Sequence, residues 1–146
     1  MNREYLNYPI ISAGGVIIID GKILMIKRRN EPEAGKWTIP GGAINIGERI
    51  KDGLKREIFE ETGLCVDVKK LLDIMEKIIE DNQGKIKYHY VIADYLCEYV
   101  SGDINASSDA LEVKLISSDD IDKFELCDGT NGIFEMALNY NKKESI

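Results

Sequence analysis

Gly42-Ala43-Ile44-Asn45-Ile46-Gly47-Glu48 and, after seven intervening residues, Arg56-Glu57-Ile58-Phe59-Glu60-Glu61-Thr62-Gly63-Leu64 form the stretch on which the reading of this chain turns. The second block crowds Glu57, Glu60 and Glu61 into about one helical turn and stops at a glycine suited to a left-handed C-terminal cap. Its spacing predicts a helix from about Glu48 to Thr62, with Ile50, Leu54 and Ile58 as the apolar stripe and Lys51, Asp52, Lys55 and Thr62 on the wet side. At about 100° per residue, Glu57 and Glu61 fall within about 20° of Ile50, so both carboxylates point toward the fold.

That placement is costly. Glu57 and Glu61 are like charges one turn apart, worth a few tenths of a kcal/mol of repulsion when exposed and more when desolvated. They also sit at the end of the helix where the dipole disfavours anions by roughly 0.3–1 kcal/mol each. A solvated acidic helix end, with Arg56 and Glu60 as an ordinary surface pair, is one explanation. The inward phase and the Pro40-Gly41-Gly42 turn upstream favour the other, a functional site built against a stability cost. Oxygen-only, mostly anionic ligands suit a hard cation, Mg²⁺ with Mn²⁺ as a substitute, and Mg²⁺ completes its shell with waters and substrate phosphates.

Upstream, Ile10–Ile19 is β-branched and small, Asp20-Gly21 signals a tight turn, and Lys22–Lys27 returns as a second strand. Asn30–Lys36 reads as a surface loop leading to the short apolar segment Trp37-Thr38-Ile39. Downstream, Leu64–Ile79 and Lys85–Tyr99 are expected to form a long hairpin about Asp81-Asn82-Gln83-Gly84, and Ala110–Ile116 a further strand. Ser117-Ser118-Asp119-Asp120 caps a short helix, and Ile133, Met136, Ala137 and Tyr140 recur at helical spacing. The order predicts an α/β domain with a mixed central sheet flanked by helices, one domain over 1–146.

With 146 residues, 44% hydrophobic and 31% charged, the composition is that of a soluble chain with one sizeable core, and no apolar run reaches the ~18 residues of a membrane span. The first residues do not read as a secretory signal, so the expected setting is cytoplasmic. Cys65, Cys97 and Cys127 are widely spaced and lack a zinc pattern; all three are expected to be reduced and buried. A net charge of −7 repels polyanions, so no nucleic-acid or membrane partner is expected, and an anionic small molecule needs local cations or metal to bind.

The pattern Gly42, Glu48, Arg56-Glu57, Ile58, Glu60-Glu61, Gly63, Leu64 resembles the Nudix box, Gx5Ex7REUxEExGU with U apolar, without a departure. Seven fixed residues at roughly 6% each agree by chance on the order of once in 10⁸ to 10⁹ starting positions, which removes coincidence as an explanation. The resemblance implies a Nudix-type α/β/α sandwich over 1–146, with its box at 42–64, that hydrolyses a nucleoside diphosphate linked to another group. It implies Glu57, Glu60, Glu61 and the Gly41 carbonyl as metal ligands, Arg56 as the residue that orients a glutamate, and Glu48 as support for the loop and helix. The base is either in the helix, at Glu57 or Glu60, or on a later segment. Glu112 occupies a position where related proteins often carry an additional acid, and as a strand residue it reads equally well as solvent-facing.

Arg28 and Arg29 end the second strand and could hold a phosphate or be a surface pair. His89, between Tyr88 and Tyr90, reads as a packing residue rather than a catalyst, and Trp37 as part of the core. The downstream markers of three Nudix subgroups are missing: Ile79 and Glu80 replace the proline of ADP-ribose hydrolases, Asp81 and Asn82 replace the tyrosine of dinucleoside polyphosphate hydrolases, and no coenzyme A signature precedes the box. Overall, including Leu126-Cys127-Asp128-Gly129-Thr130, the chain is similar to small proteins of the ADP-ribose pyrophosphatase-like type. The resemblance implies a Mg²⁺-dependent pyrophosphohydrolase for ADP-ribose or a nucleotide sugar, with a nucleoside triphosphate sanitising activity as the alternative and a non-hydrolysing nucleotide sensor further behind. The segment up to Pro9 is expected to pair with a second subunit, as in dimeric relatives, or to cap the sheet.

Overall fold

The computed structural model describes residues 2–105 and 110–144. β1 (Ile10–Ile19) and β2 (Lys22–Arg28) are joined at Asp20-Gly21, both in left-handed conformation with φ of 51° and 76°, as a tight turn of this type requires. The hairpin is brief: only Ile18↔Ile23 and Ile19↔Lys22 pair before the strands diverge. β1 goes on to pair β4 (Gly41–Ala43) on one side and, in parallel, β6 (Ile86–Ser101) on the other. β6 pairs antiparallel with β5 (Cys65–Glu80), the predicted long hairpin. β2 instead pairs β3 (Trp37–Thr38) and β7 (Ala110–Ser117). The mixed sheet therefore splays into two wings at the β1–β2 turn, with the Gly41-Gly42 segment on the wing that carries β1.

Helix α1 (Ile50–Thr62) lies on one face and α2 (Thr130–Glu144) on the other. Leu54 and Ile58 pack fully buried against Ala13, Ile17, Leu64 and Tyr95. Each such side chain contributes on the order of 1.5–3 kcal/mol. Close approach needs Gly15, where a Cβ would lie 2.8 Å from the Ile58 Cδ1. On the opposite face Ile133, Phe134 and Ala137 of α2 join Val16, Met25, Trp37 and Ile116. Trp37 crosses the Phe124 ring edge-on, so it belongs to the core as expected.

Several expectations need correction. Glu48 and Arg49 precede the helix, and Ile50, the first helical residue, is 37% exposed rather than part of a buried stripe. Thr62 is buried, not wet. Its Oγ1 donates to the Ile58 carbonyl at 2.6 Å, and its own carbonyl accepts from the Asn105 N–H, which brings the segment after β6 over the helix end. Gly63 caps the helix in the left-handed region at φ 81°, as predicted. Met136 faces outward while Phe134 takes the core position, and Cys65 is exposed, unlike the buried Cys97 and Cys127. The segment Ser118–Lys123 is a 3₁₀ turn, with the Ser117 hydroxyl accepting from the Asp119 N–H. The N-terminal segment lies on its own chain: the Tyr5 N–H and hydroxyl donate to the Lys87 carbonyl and to Asp81, and Tyr88 donates to Glu4.

Candidate functional site

The site is built where β4 runs under the C-terminal half of α1. The Gly41 N–H donates to Glu61 Oε1 at 2.7 Å, which ties the last helical turn to the glycine segment. Glu61 is only 4% exposed, so the inward phase expected for it is present. A Cβ at Gly41 would collide with the Ala13 carbonyl, and one at Gly42 would occupy the space of the Glu57 carboxyl. Both positions are glycines because backbone and carboxylates meet there without intervening side chains.

Arg56 organises the rest. Its Nε and Nη2 donate to the two Glu48 oxygens at 2.7 and 3.0 Å, and Nη2 also donates to the Ala43 carbonyl at 3.1 Å. Nη1 reaches Glu57 at 2.8 Å and Glu60 at 3.1 Å. One guanidinium therefore binds three carboxylates and a carbonyl, a fork that an ammonium cannot reproduce. Glu48 in turn accepts from the Asn45 N–H at 3.0 Å, so the loop before the helix is held as expected of it. Its hydrogen bonds from Arg56, then that from Asn45, hold the Glu48 carboxyl down to about 2. Glu48 foremost, and then Glu57, raise the Arg56 pKa beyond its ordinary value against the cost of burial.

A cavity of about 480 Å³ opens beside this assembly, walled by Glu57, Glu61, Gly41 and Gly42 and facing Arg3, Arg28 and Arg29. The structure thus brings together six of the residues anticipated around a phosphate: Gly41, Glu57, Glu61, Arg56 behind them, and Arg28 and Arg29 opposite. Arg28 is partly engaged through Nε on the Pro32 carbonyl. Glu60 is 52% exposed and lies at the rim on Arg56. Glu112 is on β7 opposite Lys27, solvent-facing, and lines no part of this cavity. His89 is a half-buried strand residue paired with Ile78.

Among the described residues, no three acidic, histidine or cysteine side chains already close around one cation position. The donor chemistry nevertheless fits a hard dication: Glu57 and Glu61 face a common cavity beside a backbone turn kept free of side chains, and Mg²⁺ needs only one or two carboxylates with water and phosphate.

Three features escape the sequence reading. The N-terminal arm delivers Arg3 to the cavity. A second, inner cavity of about 130 Å³ shares Arg3, Arg28, Gly41 and Gly42 with the first and extends toward α2. Asp94, 3% exposed, lines it; burial, then Asp73, push its carboxyl up to about 7, with Lys77 opposing. The signal for it was an aspartate inside the apolar run Val91-Ile92-Ala93-Asp94-Tyr95-Leu96. A partly buried Lys77–Glu33 pair at 2.8 Å ties the loop after β2 to β5, with Lys77 on the wall of that cavity.

Among known proteins, the NUDIX domain family model matches residues 9–134. An ADP-ribose pyrophosphatase of Methanocaldococcus jannaschii is 35% identical over 121 residues, 83% of this chain and 69% of that one. The solved MutT NUDIX hydrolase of Burkholderia pseudomallei superposes with a TM-score of 0.78 at 30% identity, over 89% of this chain and 98% of the other. The MutT protein of Methanosarcina mazei Go1 does so at 0.74 and 28%, over 94% and 99%. A complete box, the helix–sheet–helix layers that position it, and a family match over most of the chain lead to one assignment: the chain belongs to the Nudix hydrolase family.

Proposed function

We propose that this chain is a Mg²⁺-dependent pyrophosphohydrolase that cleaves the phosphoanhydride of a nucleoside diphosphate-linked substrate, with ADP-ribose or a nucleotide sugar as the substrate class. The observation that carries the proposal is the facing of Glu57 and Glu61 against Arg3, Arg28 and Arg29 across one cavity floored by Gly41 and Gly42. A net charge of −7 repels an anionic substrate at long range, so these arginines, which share the cavity wall with Glu4 and Glu31, are the cations it meets locally. The named activity of the Methanocaldococcus jannaschii relative supports ADP-ribose as the first substrate to test.

Glu57, Glu61, Glu60 at the rim and the Gly41 carbonyl are the groups that would hold the metal. When bound, it supplies charge neutralisation on the bridging phosphates and lowers the pKa of water. Arg56 holds Glu57 in place through a charge-assisted bond, while Glu48 fixes Arg56. Arg28 and Arg29 orient the diphosphate for in-line attack. The exposed position of Glu112 favours the box helix, with Glu57 foremost, as the source of the base that takes a proton from water.

The test is a product assay with ADP-ribose, other nucleotide sugars, dinucleotides and (deoxy)nucleoside triphosphates, each with Mg²⁺ and with chelator. Release of two monophosphates from a sugar-linked diphosphate, abolished by chelator, is the expected result. Monophosphate and pyrophosphate from a triphosphate alone would replace this substrate class with nucleotide sanitising. Tight binding with no product from any member would overturn hydrolysis in favour of a sensor.

A further inference from the structure

We infer that Glu33, which lines neither cavity, is a positioning residue for the substrate: it pins the β2–β3 loop so that Arg28 stands where the diphosphate binds. This rests on the pyrophosphohydrolase reading for where the diphosphate lies, and adds what holds the cationic wall in place.

Residues 29–36 join β2 to β3 and wall both cavities, giving Arg29, Asn30 and Glu31 to the outer one and Pro32 to the inner one. Backbone bonds close the base of this loop. The Arg28 N–H donates to the Lys36 carbonyl at 2.9 Å, and the Gly35 N–H donates to the Arg28 carbonyl at 2.8 Å. Arg28 Nε donates to the Pro32 carbonyl at 2.9 Å, which leaves its two Nη groups for a phosphate. Where Arg28 points therefore depends on where Pro32, next to Glu33, is held.

The backbone of the loop does not favour this path. Glu33 has a φ of 62°, in the left-handed region that a residue with a Cβ occupies at a cost. Such a conformation persists where the surroundings over-determine it, and three donors converge on the Glu33 carboxylate. Lys77 of β5 reaches Oε2 at 2.8 Å, the Asp128 N–H reaches Oε1 at 3.3 Å, and the Cys127 thiol donates as well. Burial opposes the charge, but the bonds from Lys77, Cys127 and Asp128 outweigh it and hold the carboxyl below the ordinary carboxylate range. The two side chains of the Lys77 pair are 19% and 13% exposed, so solvent screens it less than a surface pair.

One carboxylate thus ties the loop to β5 and to the turn that enters α2. Segment 126–130 has a part in this. The Trp37 N–H donates to the Glu125 carbonyl at 2.8 Å and the Trp37 carbonyl accepts from the Cys127 N–H at 2.9 Å, which fixes the turn that presents the Asp128 N–H to Glu33. The latch acts on the arginine side of the cavity, so its loss falls on binding more than on the chemical step.

The experiment measures affinity for α,β-methylene-ADP, a diphosphate whose bridging carbon resists hydrolysis, by calorimetry with Mg²⁺. It compares the wild type, E33A, R28A and the double variant, with urea unfolding beside it. R28A is expected to weaken binding about 10- to 100-fold and E33A about 10-fold. Because both act on one contact, the double variant is expected to bind within about threefold of R28A. On the best substrate, KM for E33A should rise by more than kcat falls. E33Q keeps the shape and an acceptor for the Asp128 N–H; it is expected to weaken binding about 3- to 10-fold and takes the place of E33A should that variant not fold. Wild-type affinity in the Glu33 variants whatever their stability, losses that multiply in the double variant, or a fall confined to kcat would overturn the inference. Product formation is scored separately. Coupling of Glu33 with Arg28 in binding, with no product from any substrate, would defeat the hydrolase reading alone, and hydrolysis by the Glu33 variants at the wild-type KM would defeat this inference alone.

Discussion

Gly42→Ala probes the site without touching a charge. Gly42 is an extended residue of β4 paired with Ala13, so alanine suits its backbone. Its Cβ, however, would lie 2.9 Å from the Glu57 Cγ, with the carboxyl group closer still. Ordinary carbon contacts sit at about 3.5–4.0 Å, so the Glu57 carboxylate must move by about 1 Å or turn off its rotamer. The turn costs about 0.5–1.5 kcal/mol, a minor loss of stability. The same displacement takes Glu57 off its 2.8 Å bond from Arg56 and away from Glu61 beside it on the cavity wall. A misplacement of about 1 Å in catalytic geometry lowers turnover by about 10²-fold. Steady-state hydrolysis with saturating Mg²⁺, set beside urea unfolding, separates the two effects. Expected is kcat down by about two orders of magnitude with the fold retained; kcat within about threefold of wild type would refute the role given to the glycine.

Arg56→Lys removes the fork that binds Glu48 and Ala43. At this partly buried site it should cost about 1–2 kcal/mol in urea unfolding and lower kcat at least about tenfold; an unchanged midpoint would show that the hub is dispensable. Because the folded Glu48 carboxyl is held at about 2, below its unfolded value, its contribution is present above about pH 4.5 and is lost as pH falls toward 2. Glu48→Gln should therefore flatten the acid limb of the stability profile in that window, and an identical limb in both proteins would contradict the pairing. Asp94 has the opposite sign. Its folded pKa, raised to about 7 by burial and by Asp73 against the pull of Lys77, makes its ionisation destabilising progressively from about pH 4 to 7. Asp94→Asn should gain up to about 4 kcal/mol on the wild type across that interval, and parallel profiles would exclude a desolvated carboxyl.

The box was legible because its residues break local rules together: like charges at i, i+4 and anions at a helix C-terminus have no stabilising reason to be there. Helical phase correctly turned Glu61 inward. It failed at the ends of α1, where Ile50 is exposed and Thr62 is buried with its carbonyl bonded by the Asn105 N–H, since periodicity describes a face but not what lies over it. The pairing of Arg56 with Glu48, Glu57, Glu60 and Ala43 depends on where the loop before the helix folds back, which spacing alone does not specify. Arg3 reaches the cavity only because Tyr5 and Tyr88 fasten the N-terminal arm to the β5–β6 hairpin, contacts spanning about half the chain or more in sequence. Asp94 did carry a local signal, a charge amid a buried strand, but not the cavity that it lines.

Turnover of Glu57→Gln and Glu61→Gln on the best substrate with saturating Mg²⁺ tests whether the carboxylates of the box helix perform a metal-dependent hydrolysis. Circular dichroism and urea unfolding serve as the check of folding. Expected is a loss of several orders of magnitude in kcat for Glu57→Gln, and a large loss for Glu61→Gln, with both proteins folded. Undiminished turnover in both would contradict it.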